Sequence, residues 1–283
     1  MIDIHLHPLF INELDKTIDE WRRIKTVFLT ESQILSPPMQ PIRAVLSKLD
    51  AANIQKAVLL PIDCRRSRGV SILGNQDIQK ICLLSNRFVG FASIDPLDSH
   101  GLDYLEDAHA IGLRGLKLDP GLQLFAVKDI IQHPMWKFIE KWRWPVMLHV
   151  GYSFVPHVSM YSCTVKDVEM LVDTNPKINF IAAHWGYPNS LELCLTAIKY
   201  PNLFIDTSAF YFDSPTKFHR DLFEKIIPLS VVEKSLRHQI CFGSNAPKVY
   251  IQDMKLAIEE LPLSDKTKLA IFQSNTEKLL NQR

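Results

Sequence analysis

Eight short apolar runs recur along the chain, at residues 2–6 (IDIHL), 56–61 (KAVLLP), 88–94 (FVGFASI), 114–118 (RGLKL), 145–150 (PVMLHV), 178–183 (INFIAA), 203–206 (LFID) and 239–243 (QICFG). Strands buried on both faces require this near-continuous hydrophobicity. Between the runs, apolar residues fall at helical spacing over 41–54, 75–87, 165–175 and 190–200. Strand and helix alternating eight times predict a parallel (β/α)8 TIM barrel, an α/β fold. No Gly/Ser-rich linker, low-complexity tract or repeat divides the chain, so residues 1–283 are expected to form a single barrel domain. An open, doubly wound sheet is the alternative, but no GxGxxG follows an early strand.

Composition narrows the picture without changing it. Apolar residues make up 47% and charged residues 22%, with a formal net charge of +1, the profile of a globular protein with no nucleic-acid or membrane-surface bias. No apolar run reaches the roughly 18 residues of a spanning helix. The five cysteines are odd in number, widely spaced and without CxxC, and the N-terminal MIDIHLH has no targeting pattern, so reduced thiols and a cytoplasmic location are expected.

Barrel enzymes carry their chemistry on the loops after the C-terminal strand ends. Those ends are rich in polar groups: His5 and His7, Asp63 with an arginine cluster, Asp95, Lys117 and Asp119, His149, His184, Asp206 and finally Asn245. Residues i and i+2 of a strand share a face, so His5 and His7 are expected to point together, with Asp3 one pleat earlier. Neutral imidazole is a good zinc ligand at about 2.0–2.1 Å, and His149 is the natural third. A lone HxH is more often hydrogen-bonded structure. Its combination with histidines ending the fifth and sixth runs is what points to a site.

In order along the chain, DIHLH, RGLKLDP, LHVG, AHWG, IDTS and FGSNAP, with the terminal IFQSNTEKLL, resemble the amidohydrolase-related family of barrel hydrolases and decarboxylases, the branch with aminocarboxymuconate semialdehyde decarboxylase and several lactonases. The resemblance spans nearly the whole chain. It implies a divalent metal, zinc first, with manganese or iron as alternatives, on His5, His7 and His149. It also implies that His184 polarises the substrate or passes a proton, and that an Asp stands where this chain has Asn245. Asp119 likewise replaces a family His. Some lactonase-like relatives work without a tightly held metal, and this sequence is compatible with that variant.

An amide has no basic site in this pH range, so Asn245 can hold a water or a carbonyl but cannot accept the proton. His184, Asp206 or Asp119 would have to serve as the base. Lys117 reads as a carboxylate-binding or salt-bridged lysine, with a carbamylated metal bridge as a lesser option. Arg65, Arg66 and Arg68 suit an anionic small-molecule substrate, since guanidinium binds carboxylate bidentately; a solvated basic loop is the plain alternative. Tyr152, Phe154, Phe210, Tyr211 and Phe212 offer an apolar wall for a ring. The leading expectation is hydrolysis of a small, carboxylated cyclic ester or amide. Non-oxidative decarboxylation, a silent relative, and a chain altered from Asp to Asn at 245 stay open, as does a homo-oligomeric state.

Overall fold

The computed structural model describes residues 1–28, 39–155, 157–159, 161–209 and 213–281. Each apolar run yields a strand: β1 (Ile2–Leu6), β2 (Lys56–Leu59), β3 (Phe88–Gly90), β4 (Leu116–Leu118), β5 (Val146–Leu148), β6 (Phe180–Ala182), β7 (Leu203–Asp206) and β8 (Ile240–Cys241). All neighbouring pairs are parallel, in the order β1-β2-β3 and β4-β5-β6-β7-β8.

Backbone hydrogen bonds join the two sheets at both seams. Between β3 and β4, Ala92 N–H donates to Gly115 O and Lys117 N–H to Ala92 O, both at 2.7 Å. Between β8 and β1, Ile4 N–H donates to Phe242 O and Asn245 N–H to His5 O, both at 2.8 Å. The ring is closed, which is the expected barrel, and among the described residues no strand is left with an unpaired edge. The helices foreseen from periodicity form over Ile42–Ala51, Asn75–Leu84, Val165–Thr174 and Ser190–Lys199. Their apolar faces cover the outside of the barrel in one continuous buried cluster.

A second, smaller cluster fills the barrel itself: Ile4, Val58, Phe91, Met147, Ile181, Phe204 and Cys241, with Leu279 of the terminal helix as a plug. Asn275 ties that helix to the floor by donating its side-chain amide to Ile240 O at 2.6 Å and Arg237 O at 2.8 Å. Lys117 is in register with Met147, which is in register with Ile181. A lysine therefore takes the fourth strand's place in an otherwise apolar layer. Its stem can pack there while its ammonium reaches toward the mouth.

Among the described residues no helix is long and apolar enough to cross a membrane. None of the five cysteines is in a disulfide.

Candidate active site

The step from Asp3 to Leu6 on β1 faces the shorter step from Ala57 to Leu59 on β2, so one residue is in excess and the strand bulges. The bulge breaks simple alternation. His5 N–H is diverted to Asp3 Oδ1 at 3.0 Å, and Ser244 N–H donates to the same oxygen at 3.0 Å. Asp3 thus bridges β1 to the loop after β8 beneath the histidines, instead of joining them as a strict two-residue period implies. Burial pushes its carboxyl up to about 7, against the opposing effect of the Ser244 and His5 hydrogen bonds.

The partners of His5 and His7 set their tautomers. Asp206 Oδ2 accepts from His5 Nδ1 at 2.6 Å, and Leu60 O accepts from His7 Nδ1 at 2.8 Å. Both acceptors lack a proton to give, so each ring is protonated on Nδ1 and carries its lone pair on Nε2. Those two Nε2 atoms meet at 3.2 Å. Two lone pairs in contact are favourable only around a shared cation or proton. Burial, reinforced by neighbouring cationic groups, holds both rings well below the usual histidine range.

His184 and Asn245 enter on strained turns, with φ of 62° and 59° in the left-handed region. The loop carrying His149 is drawn against the loop after β6 at Gly151, whose φ is 84°. A Cβ there would sit 2.2 Å from Tyr187 O, so only glycine permits the approach. The rings of His149 and His184 stack edge-on at 5.0 Å, and those of His184 and His5 lie 5.1 Å apart. His184 N–H donates to Asp206 Oδ1 at 2.9 Å. His149 Nε2–H donates to Tyr152 O at 3.1 Å, and its Nδ1 lies 3.8 Å from Asp119 Oδ2.

His5, His7, His149, His184, Lys117, Asp119 and Asn245 all line one cavity of about 30 Å³ at the mouth of the barrel. That is room for a water or two. Lys248 and Phe28 also line it, and neither was singled out from the sequence. Lys248 follows Asn245 by three residues in the same loop. Its N–H donates to Asn245 O at 3.0 Å, and its ammonium sits 4.0 Å above the Phe28 ring. Proximity to FGSN was the available signal, but a lysine in a loop is ordinarily solvated. Burial brings Lys248 down to about 8, with Asp119 opposing and Lys117 adding to the shift. Burial also lowers Lys117, and no carboxylate is within ion-pair distance of it among the described residues.

Several expected site residues lie elsewhere. Asp206 is fully buried, and its oxygens are taken by His5, the His184 and Ser208 amides and the Ser208 hydroxyl. It acts through other side chains instead of touching the pocket. Arg65 chelates Asp63 at 2.9 and 2.8 Å and stacks on Tyr104, lining a separate, larger cavity of about 550 Å³ that holds none of the histidines. Arg66 is spent on Asp95 at 2.7 Å and Gln123 O at 2.7 Å, tying three loops together. Arg68 does not line the histidine cavity, although its buried Nε and Nη2 find no acceptor among the described residues. The Tyr152 ring packs at 4.7 Å on Phe154, and Phe154 is the one that lines the cavity. Residues 210–212, with their three aromatics, lie outside the described residues.

The donor set fits a cation in part. The Nε2 atoms of His5 and His7 converge as ligands would. Among the described residues, the group of three whose ligand-type atoms all lie within 4.8 Å of one another is nevertheless His5, His184 and Asp206, instead of His5, His7 and His149. Within that group Asp206 is already saturated by hydrogen bonds. His149 engages the Tyr152 carbonyl, and the eighth-strand residue is a neutral amide.

Solved structures share this architecture. An uncharacterized TIM-barrel protein of Bordetella bronchiseptica aligns over 100% of this chain and 98% of its own, at 18% identity and a TM-score of 0.77. A 2,6-dihydroxybenzoate decarboxylase from Rhizobium aligns over 99% and 98%, at 18% identity and a TM-score of 0.64. A 5-carboxyvanillate decarboxylase of Novosphingobium aromaticivorans with bound manganese aligns over 99% and 97%, at 16% identity and a TM-score of 0.64. At these identities the likeness is one of fold. No curated protein matches the chain in sequence. The Amidohydrolase family profile, by contrast, matches residues 2–282, with the histidines of β1, β5 and β6 and the turn after β8 all inside the match, and the chain therefore belongs to the amidohydrolase family.

Proposed function

We propose that this chain is a hydrolase that opens a small, carboxylated cyclic ester or amide. One observation carries the reading: among the described residues, two ammonium groups, Lys117 and Lys248, share a cavity with four imidazoles and a single carboxylate, Asp119. Such a cavity carries net positive charge and favours an anionic substrate and an oxyanion. The arginines proposed for that role from the sequence are largely engaged elsewhere.

In this reading the cavity, which here has room for a water or two, opens to admit the substrate, and Lys248 and Lys117 bind its carboxylate and the developing oxyanion. Asn245 donates its NH2 to the carbonyl oxygen, and His184 accepts the proton of the attacking water. His5 and His7 would hold a divalent cation, zinc first and manganese or iron as alternatives. When bound, such an ion polarises a carbonyl and acidifies water. Incubation with carboxylated lactones and lactams should give products heavier by one water. Turnover of none of them would remove the proposal.

Two further results are expected. Lys248 carries its charge below about 8. Affinity for an anionic substrate should therefore be level below that pH and fall by about tenfold per unit above it. The pH profile of kcat/KM measures this, and Lys248→Met should lower kcat/KM and erase the alkaline limb. Asn245→Asp restores an anion beside His5 and His7, on a turn that Asp tolerates. Zinc or manganese affinity by calorimetry is expected to rise about tenfold or more.

Decarboxylation of an aromatic or enol acid is the second reading, favoured because decarboxylases are among the solved structures that superpose over nearly the whole chain. Carbon dioxide release from hydroxybenzoates, without hydrolysis of the lactones, would select it.

A further inference from the structure

We infer that Ser208 is a positioning residue, relaying the buried Asp206 carboxylate to His184 and holding that ring in the tautomer that leaves Nε2 as its proton-accepting nitrogen. The inference rests on the hydrolytic reading above for its chemistry, but not for its geometry.

Ser208 Oγ–H donates to Asp206 Oδ1, and Ser208 Oγ lies 2.6 Å from His184 Nδ1. A hydroxyl has one proton. With that proton on the carboxylate side, the hydroxyl can meet the imidazole only as an acceptor, so Nδ1 must carry the ring's hydrogen. The reverse arrangement would set the Ser208 lone pairs against Asp206 Oδ1. Both residues are fully buried, where two acceptors in contact have no water to relieve them.

Asp206 cannot swing to accommodate the reverse. Oδ1 also accepts the amides of His184 and Ser208, each at 2.9 Å, and Oδ2 accepts His5 Nδ1 at 2.6 Å. One carboxylate therefore sets two rings, His5 directly and His184 through a hydroxyl.

This arrangement supplies what position 245 lacks. The amide there has no basic site, and the carboxylate one strand earlier is too deep to touch a substrate. Acting through Ser208, it presents a base at His184. As the water oxygen bonds to the carbonyl carbon, the water proton passes to His184 Nε2. The imidazolium so formed is paired through Ser208 with Asp206. The same proton then leaves with the departing alkoxide or amine, and the Nδ1 hydrogen never moves.

The test reads the ring directly. In the protein as purified, labelled with 15N-histidine, long-range 1H–15N spectra should show His184 protonated at Nδ1 and unprotonated at Nε2, the signals being assigned by their loss in His184→Gln. Ser208→Ala should shift the ring toward the Nε2-protonated form, and Ser208→Thr, which keeps the hydroxyl, should restore the original pattern. With a substrate in hand, Ser208→Ala should lower kcat about 10- to 100-fold at little changed KM. A wild-type ring protonated on Nε2, or a folded Ser208→Ala protein with unchanged His184 shifts, would overturn the relay. Because the tautomer is read without substrate, a protein that releases carbon dioxide yet shows the Nδ1–H ring refutes the hydrolytic reading alone.

Discussion

Asp206→Ala is expected to destabilise the protein by about 3–5 kcal/mol, read as a fall in the denaturant midpoint at unchanged slope. Four donors converge on this carboxylate: the His5 ring, the His184 amide, the Ser208 amide and the Ser208 hydroxyl. All are buried, so deletion strands each without water, at a cost of about 1–3 kcal/mol per group before relaxation. Asp206→Asn keeps the volume but turns an NH2 toward a donor, and should lose less stability. A loss below about 1 kcal/mol in the alanine variant would mean that the donors find other acceptors and that Asp206 does not hold the site together.

His184→Gln is expected to lower kcat by about 10²- to 10⁴-fold, the usual worth of a positioned acid–base group. The substitution should leave folding nearly intact, because glutamine keeps the backbone bond to Asp206 and offers a side-chain NH2 that can donate to Ser208 Oγ in place of the imidazole Nδ1–H. Asp119→Asn is the informative comparison. Among the described residues Asp119 is the one carboxylate lining the cavity, but its Oδ1 caps the short helix after β4 by accepting Leu122 N–H at 3.0 Å. If the asparagine at 119 lowers kcat more than the glutamine at 184, the base is Asp119 and the proton path through His184 is wrong.

The two replacements also separate what each strand end does. His184 meets the cavity, whereas Asp206 reaches it only through His5 and Ser208. By strand-end position alone both were polar residues ending an apolar run, and only the family resemblance set His184 apart; nothing in a strand-end position distinguishes a side chain that faces substrate from one that holds another side chain. Ser208 was visible in IDTS but carried no signal of its own, because a serine two residues past an aspartate is common in turns. The arginine cluster shows a related limit. Three guanidinium groups in DCRRSRG suggested anion binding, but Asp63 and Asp95 end neighbouring strands and had prior claim on two of them.

Asp3 shows a subtler limit. Period-two alternation places it with His5 and His7, and alternation fails where a strand bulges. The bulge is stabilised by Asp3 itself together with Ser244, residues separated by most of the chain and joined only when β8 closes on β1.

The sequence by itself determined the eight-strand barrel and the histidines that meet at its mouth, because hydrophobic period and element order are local properties that survive in one dimension. It also determined that position 245 offers no base, since that follows from the chemistry of an amide. Only the tertiary structure decided how charge is distributed at the site. Lys248 and Phe28 line the cavity, Arg65 and Arg66 pair with Asp63 and Asp95, and Asp206 joins His5 directly and His184 through Ser208 across three strands. Hydrogen-bond partnership and desolvation are properties of neighbours in space, and barrel closure makes neighbours of residues that the chain keeps far apart.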